Sequence, residues 1–259
     1  MLYFLTLCVI CDCSEKRSIV RSMENHLQDR NATFVLLDLD SEQRFTHNEK
    51  LATTRTTPCS TFKIWNTLIG AENHYLLSPD QPFYHWDGTV REIPEWNKDL
   101  TLSEAFKVSC VPAFQDLARR TGRAKMETWI RLMPYGNGDL SSGIDDFWLP
   151  RPGKASIQIS PLEQALLMRR LVRGELPFSE SSRNLLYKIM LVKETSGGKL
   201  YGKTGTGSLE SGENLGWFVG FVQSSTKRFT FACLLKSHDA SGAVARALTI
   251  QILEDSGML

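Results

Sequence analysis

Leu215-Gly216-Trp217-Phe218-Val219-Gly220-Phe221-Val222 is the stretch that settles the architecture. The helical period of the middle of the chain gives way here to β-branched and aromatic residues. Runs of the same kind lie on either side, Lys199 to Lys203 and Phe229 to Leu235, so three successive strands with turns between them are expected. Ala240 to Asp255 then closes the chain as a helix. Strand material recurs near the start: Asn31-Ala-Thr-Phe-Val-Leu-Leu-Asp38 reads as a strand after a polar, helix-like segment from Glu15 to Gln28. Leu39 to Arg44 supplies a turn and Phe45-Thr46-His47 a short return strand. The middle is helical. A helix follows Pro58 to about Gly70 or Asn73, and a pattern beginning at Thr101 runs through Ala105, Phe106, Val111, Phe114 and Leu117 to Gly122. Another helix covers Met126 to Leu132, and Ser160-Pro161-Leu162-Glu163 opens a further one with a capping box. Residues 74 to 100 are loop-rich and aromatic. The expected fold is α+β, an α/β sandwich with a helical subdomain. An antiparallel sheet is built from both ends of the chain (about 19–57 and 196–259) with helices flanking it, beside an all-helical insert (about 58–195). A site is expected in the cleft between them.

At 259 residues the chain suffices for one large domain or two intimate subdomains, and 42% hydrophobic with 23% charged residues is the composition of a soluble globular protein. A net charge of +1, with 30 Lys and Arg scattered rather than clustered, gives no reason to expect nucleic acid or an anionic membrane as partner. Leu2 to Ile10 is apolar but too short to span a bilayer, and it reads as an export leader over 1–18, with a buried N-terminal strand or helix as the alternative. Export implies a periplasmic protein. Lipoprotein anchoring at Cys11 or Cys13 is poorly served by Ile10 and Asp12 before them. The six cysteines and five histidines show no metal-ligand spacing, so no metal site is expected.

Pro58-Cys59-Ser60-Thr61-Phe62-Lys63-Ile64 sets a serine and a lysine three apart at the start of an apolar helix-like run. Residues i and i+3 share a helix face about 5 to 6 Å apart, so the amine can reach the hydroxyl. A serine in the first turn also meets unpaired backbone N–H groups and the positive end of the helix dipole. That pairing describes a nucleophile with its base. It equally describes an N-cap serine followed by a surface lysine, since on the order of one Ser-x-x-Lys arises by chance in such a chain. Three further strings bear on the choice: Ser109-Cys110-Val111 in the helical insert, Tyr135-Gly136-Asn137 in a turn, and Lys203-Thr204-Gly205 at a strand end. Each has an ordinary structural reading as a helix serine, turn chemistry or a strand end. Their joint occurrence in this order is not accidental.

With these motifs the sequence resembles the penicillin-recognising serine enzymes, and most closely the class D β-lactamases. Phe34-Val-Leu, Trp86-Asp-Gly88, Trp96 to Leu102, Gly143-Ile-Asp-Asp-Phe-Trp-Leu149 and Trp217-Phe-Val-Gly220 extend the likeness over roughly 30–256. The resemblance implies a catalytic domain over 19–259 acting on β-lactams, as monomer or homodimer. Ser60 would be acylated and Lys63, as N6-carboxylysine formed with CO2 or bicarbonate, would be the base. No other cofactor is implied. A free lysine amine, with a pKa near 10.4, is protonated at neutral pH, and apolar surroundings favour the neutral form that adds CO2. Phe62, Val111, Trp148 and Leu149 would supply that dryness, and the Trp148 indole would donate to the carbamate. Ser109 would relay a proton to the leaving nitrogen, assisted by Lys203. Backbone N–H groups of Ser60 and Thr206 would form the oxyanion hole. Ser109, Val111, Lys203, Thr204, Gly205 and Thr206 would contact substrate, while Tyr135 and Asn137 would shape the pocket. Two departures stand out. Trp65 replaces a proline usual in the family and should pack in the helix. Ala245 stands where many members have a carboxylate-binding arginine, and Arg246, one residue on, would either substitute for it or simply be solvated. The rival reading is a β-lactam-sensing receptor domain that traps its acyl adduct. Such sensors tend to carry a polar residue at the place of Val111. A penicillin-binding transpeptidase is a further alternative.

Overall fold

The computed structural model describes residues 16–151, 153–154, 156–224 and 227–259. The expected leader therefore lies outside the described residues, except that 16–18 open a helix (α1) over 16–27. In chain order there follow β1 (Ala32–Asp38), β2 (Arg44–His47), α2 (Glu49–Thr53), α3 (Lys63–Glu72), β3 (Pro82–Tyr84), β4 (Leu100–Thr101), α4 (Leu102–Lys107), α5 (Val111–Thr121) and α6 (Arg123–Leu132). The C-terminal half adds α7 (Pro161–Val172), α8 (Glu180–Met190), β5 (Leu191–Glu194), β6 (Gly198–Ser208), β7 (Asn214–Ser224), β8 (Arg228–Ser237) and α9 (Gly242–Asp255).

Six strands form one antiparallel sheet in the order β2-β1-β8-β7-β6-β5, so the first strand of the chain pairs with the last, Phe34 opposite Cys233. Alternation along each strand sends side chains to two separate cores. Phe34, Leu36, Phe218, Phe231 and Cys233 pack with Ile19 and Met23 of α1 and Ile252 of α9. Val35, Leu37, Trp217, Val219 and Leu234 face the other way and join the core of the helical part. On that second face α7 is tied to β8, where Thr230 Oγ1 donates to the Ala165 carbonyl at 3.0 Å. Its start is the expected capping box: Glu163 N–H donates to Ser160 Oγ (3.2 Å) and Ser160 N–H to Glu163 Oε2 (2.8 Å). No helix among the described residues is long and apolar enough to cross a membrane.

The insert differs from its sequence reading in three places. It is not all-helical, because β3 and β4 pair as a small ladder within the aromatic stretch. The sheet part resumes before residue 196, since β5 follows α8 directly and pairs with β6. The single helix expected over Thr101 to Gly122 is two, α4 and α5, separated by Ser109 in the left-handed region (φ 54°). Pro112 explains the break. It lacks an N–H and its ring would collide with the carbonyl four residues back, so it sits in the first turn of α5 instead of inside one long helix.

Candidate active site

Ser60 lies in a 3₁₀ turn, Cys59–Phe62, that runs directly into α3, whose first residue is Lys63. Nζ of Lys63 donates to Ser60 Oγ at 2.8 Å, and the serine, buried at 8% exposure, keeps an opening to solvent that the wholly buried lysine lacks. The turn is held by Thr61 Oγ1, which donates to the Pro58 carbonyl at 2.7 Å, and by the Trp217 indole, which donates to the Thr57 carbonyl at 3.0 Å. Cys59, just before the nucleophile, has φ 52°, a conformation that costs a non-glycine residue of order 1 kcal/mol or more and persists because its surroundings enforce it.

The lysine stands in an aromatic niche. The Phe114 ring centroid is 5.4 Å from its Nζ. The adjacent Phe62 stacks on Trp148 (5.9 Å) and meets Phe147 and Tyr135 edge-on. Burial brings the Lys63 pKa down to about 7, against the opposing pull of thiolate charge on Cys110 and Cys59. Burial also pushes the Cys59 thiol up to about 12, so at neutral pH that thiol is uncharged and the opposing pull is small. The amine is therefore available as a base near neutrality. The Trp148 side chain is buried at 0% exposure, and its Nε1 finds no acceptor among the described residues. A buried donor without a partner is costly and calls for an explanation.

Lys203, at 3% exposure on β6, donates to Ser109 Oγ and to the Thr204 carbonyl (3.1 Å). Its pKa is held well below the usual lysine value by burial first, then by the charges of Lys63 and Arg246. The kink at Ser109 is what turns that hydroxyl toward β6. Two serine–lysine pairs from distant segments thus share one locality. The approach of β6 to the Ser60 turn depends on glycine: a Cβ at Gly205 would lie 3.1 Å from the Pro58 carbonyl oxygen, and one at Gly207 would lie 2.7 Å from Cys59 Sγ.

Val111 begins α5 half-buried, and Leu149 is half-buried next to Trp148. Thr206 Oγ1 accepts from the Gly242 N–H at 2.9 Å, at the start of α9. Asn137 is exposed, and its Oδ1 accepts from the Gln158 N–H at 2.9 Å. Gly136 (φ 52°) has Gln158 so close that a Cβ would fall 1.8 Å from its carbonyl oxygen. The Tyr-Gly-Asn turn is therefore a clasp on the segment before α7, with Tyr135 buried edge-on to Phe62 and Trp65. Trp65 is buried as expected, while Ala245 is fully buried and Arg246 exposed one residue on. Phe114 and Phe106, whose rings flank the Nζ of Lys63 and Lys203, carry only a helix-face signal in the sequence. Cys59 and Cys110 are buried free thiols, and no cluster of metal-ligating side chains occurs among the described residues.

The family model "Penicillin binding protein transpeptidase domain" matches residues 13–254. The Bacillus subtilis (strain 168) protein named "Probable beta-lactamase YbxI" is 38% identical over 92% of this chain and 85% of its own length. The crystal structure of a class D β-lactamase from Bacillus subtilis superposes with a TM-score of 0.84 at 37% identity, covering 92% of this chain and 96% of that one. The C-terminal domain of the Bacillus licheniformis BlaR penicillin-receptor also gives a TM-score of 0.84, at 30% identity over 91% and 95%.

Proposed function

Because this chain belongs to the penicillin-binding protein transpeptidase-domain family, and within it to the class D β-lactamases, we propose that it hydrolyses penicillin-type β-lactams through an acyl-enzyme on Ser60. The observation that carries this reading is the buried Lys63 amine, lowered to about 7 and within hydrogen-bond reach of Ser60 Oγ. An amine of that kind takes up the serine proton as Oγ bonds to the lactam carbonyl carbon. Ser109 passes a proton to the departing lactam nitrogen, and the hydrogen bond it accepts from Lys203 keeps that hydroxyl oriented. Lys203 and Thr204 receive the substrate carboxylate. N–H groups of Ser60 and Thr206 stabilise the oxyanion, where one donor is typically worth about 3 kcal/mol.

The niche also fits CO2 bound to Lys63: the amine is neutral-prone, the walls are apolar, and the Trp148 N–H is a buried donor lacking an acceptor among the described residues. Bound there, CO2 would supply an anionic base for both acylation and deacylation. Rapid hydrolysis of a chromogenic β-lactam tests the proposal, with Ser60→Ala expected to lower kcat about 10⁴-fold or more. A bicarbonate-dependent carbon-13 resonance, lost in Lys63→Ala, tests the bound CO2. Its absence would remove the carbamate while leaving Ser60 as nucleophile.

The BlaR-like sensor reading is favoured by one observation, the equal structural likeness to that receptor domain. Stoichiometric acylation without turnover is its signature. Turnover is supported instead by an apolar residue, Val111, at the head of α5, where the resemblance expects a sensor to carry a polar one. Export to the periplasm is the location that suits this substrate. N-terminal sequencing of the protein recovered from that compartment tests it.

A further inference from the structure

A cavity of about 350 Å³ opens beside the site but does not contain Ser60, Lys63 or Ser109. It exists because β5 pairs with β6 only as far as Tyr201, leaving the edge of Gly202–Thr204 uncovered between the end of α4, the α8–β5 junction and α9. Three cationic side chains from three elements, Lys107, Lys188 and Arg246, converge on it beside the buried Lys203 of β6. Among the described residues no carboxylate lines it, and Lys107, Lys188 and Arg246 take part in no ion pair. Its floor is apolar, with Phe106, Ile189 and Phe218. Lys107, Lys188 and Arg246 are exposed, so water screens their mutual repulsion, but like charges ranged around a concave, partly apolar wall together raise the local potential that draws an anion in. A single substrate carboxylate at Lys203 and Thr204 leaves an excess of positive charge in the same cavity.

We propose that this cavity is an anion-binding site that receives a second acidic group, in addition to the one carboxylate that the acylation site requires. Lys107 and Lys188, which no sequence motif singles out, are its dedicated ligands, and Arg246 is shared. The second group is either a free oxyanion or an acid carried on the carboxylate-bearing side of the substrate. Occupancy would be felt at Lys203, the residue common to cavity and catalytic cluster.

The binding arm uses the full chain with inorganic phosphate at fixed ionic strength, followed by backbone amide shifts of Gly202 and Thr204. Saturable shifts are expected, with the apparent Kd raised at least tenfold in the double variant Lys107→Gln/Lys188→Gln. Absent saturation, or an affinity unchanged in the double variant, overturns the proposal. This arm needs no turnover, so it fails independently of the acylation reading. The kinetic arm rests on that reading and compares two β-lactams differing only by an added acid on the carboxylate-bearing ring. A kcat/KM preference for the diacid of about fivefold or more, abolished in the double variant, assigns the group to substrate. Equal kcat/KM values together with variant-sensitive phosphate binding assign it to a free oxyanion.

Discussion

Among the described residues Trp148 and Lys63 present complementary deficits, a buried N–H without an acceptor and a buried amine without a carboxylate partner. Trp148→Phe keeps the stack on Phe62 and removes the donor. A hydrogen bond to a charged group is worth about 1.5 to 3 kcal/mol, so the bicarbonate concentration giving half-maximal activity should rise on the order of 10- to 100-fold in this variant. A bicarbonate titration of the initial rate checks this. The lowered Lys63 pKa also sets a pH limb. Below about 7 the amine carries a proton and can neither accept one nor add CO2, so kcat/KM should fall about tenfold per unit there. A profile flat down to pH 5 would show that the lysine is not the base. Ser109→Gly is a cleaner probe than alanine because glycine accepts φ 54° without strain. Acylation should slow by about 100-fold with the melting temperature unchanged.

Among the elements, those fixed by local chemistry are legible in the amino-acid sequence alone. Ser160, Pro161 and Glu163 define the start of α7 by themselves, and the three C-terminal strands announce themselves by composition, though their ends extend further than the pattern suggests. The break at Ser109 is hidden, because Ala105, Phe106, Val111, Phe114 and Leu117 sustain a helical period across it. The signal is Pro112, whose effect on Val108 is steric and leaves the hydrophobic pattern intact. The β3–β4 ladder and β5 are short and depend on partners distant in sequence, so local propensity says little about them. Likewise Ser60 and Lys63 are legible as a spaced pair, whereas Lys107, Lys188 and Arg246 converge near the start of β5 only after folding. The seat of α9 gives an element-level test. A Cβ at Gly216 would lie 2.4 Å from the Ser241 carbonyl oxygen, which is backbone and cannot swing aside. Gly216→Ala should displace the head of α9 from β7 and cost about 2 to 4 kcal/mol in urea unfolding.

Across the whole molecule the buried lysine is a load on stability whose sign follows from its pKa. Below about 7 the amine is charged in both folded and unfolded chains, and the folded state bears the full desolvation cost. Between about 7 and 10.5 the folded amine is neutral while the unfolded one still binds a proton, so stability recovers as pH rises and the difference vanishes above that range. Lys63→Met should therefore be more stable than the parent by on the order of 3 kcal/mol at pH 6 in CO2-free buffer, with the gain fading toward pH 10. Denaturant melts across that range check it, and a pH-independent difference would refute the linkage. The sheet order carries a consequence for biosynthesis. Phe34 to Leu37, an uninterrupted apolar run, sits between β2 and the last strand to leave the ribosome. A nascent chain must carry that run unshielded on one edge until β8 emerges, so chaperone capture and protease sensitivity should persist while the helical insert is being made and end abruptly once β8 pairs.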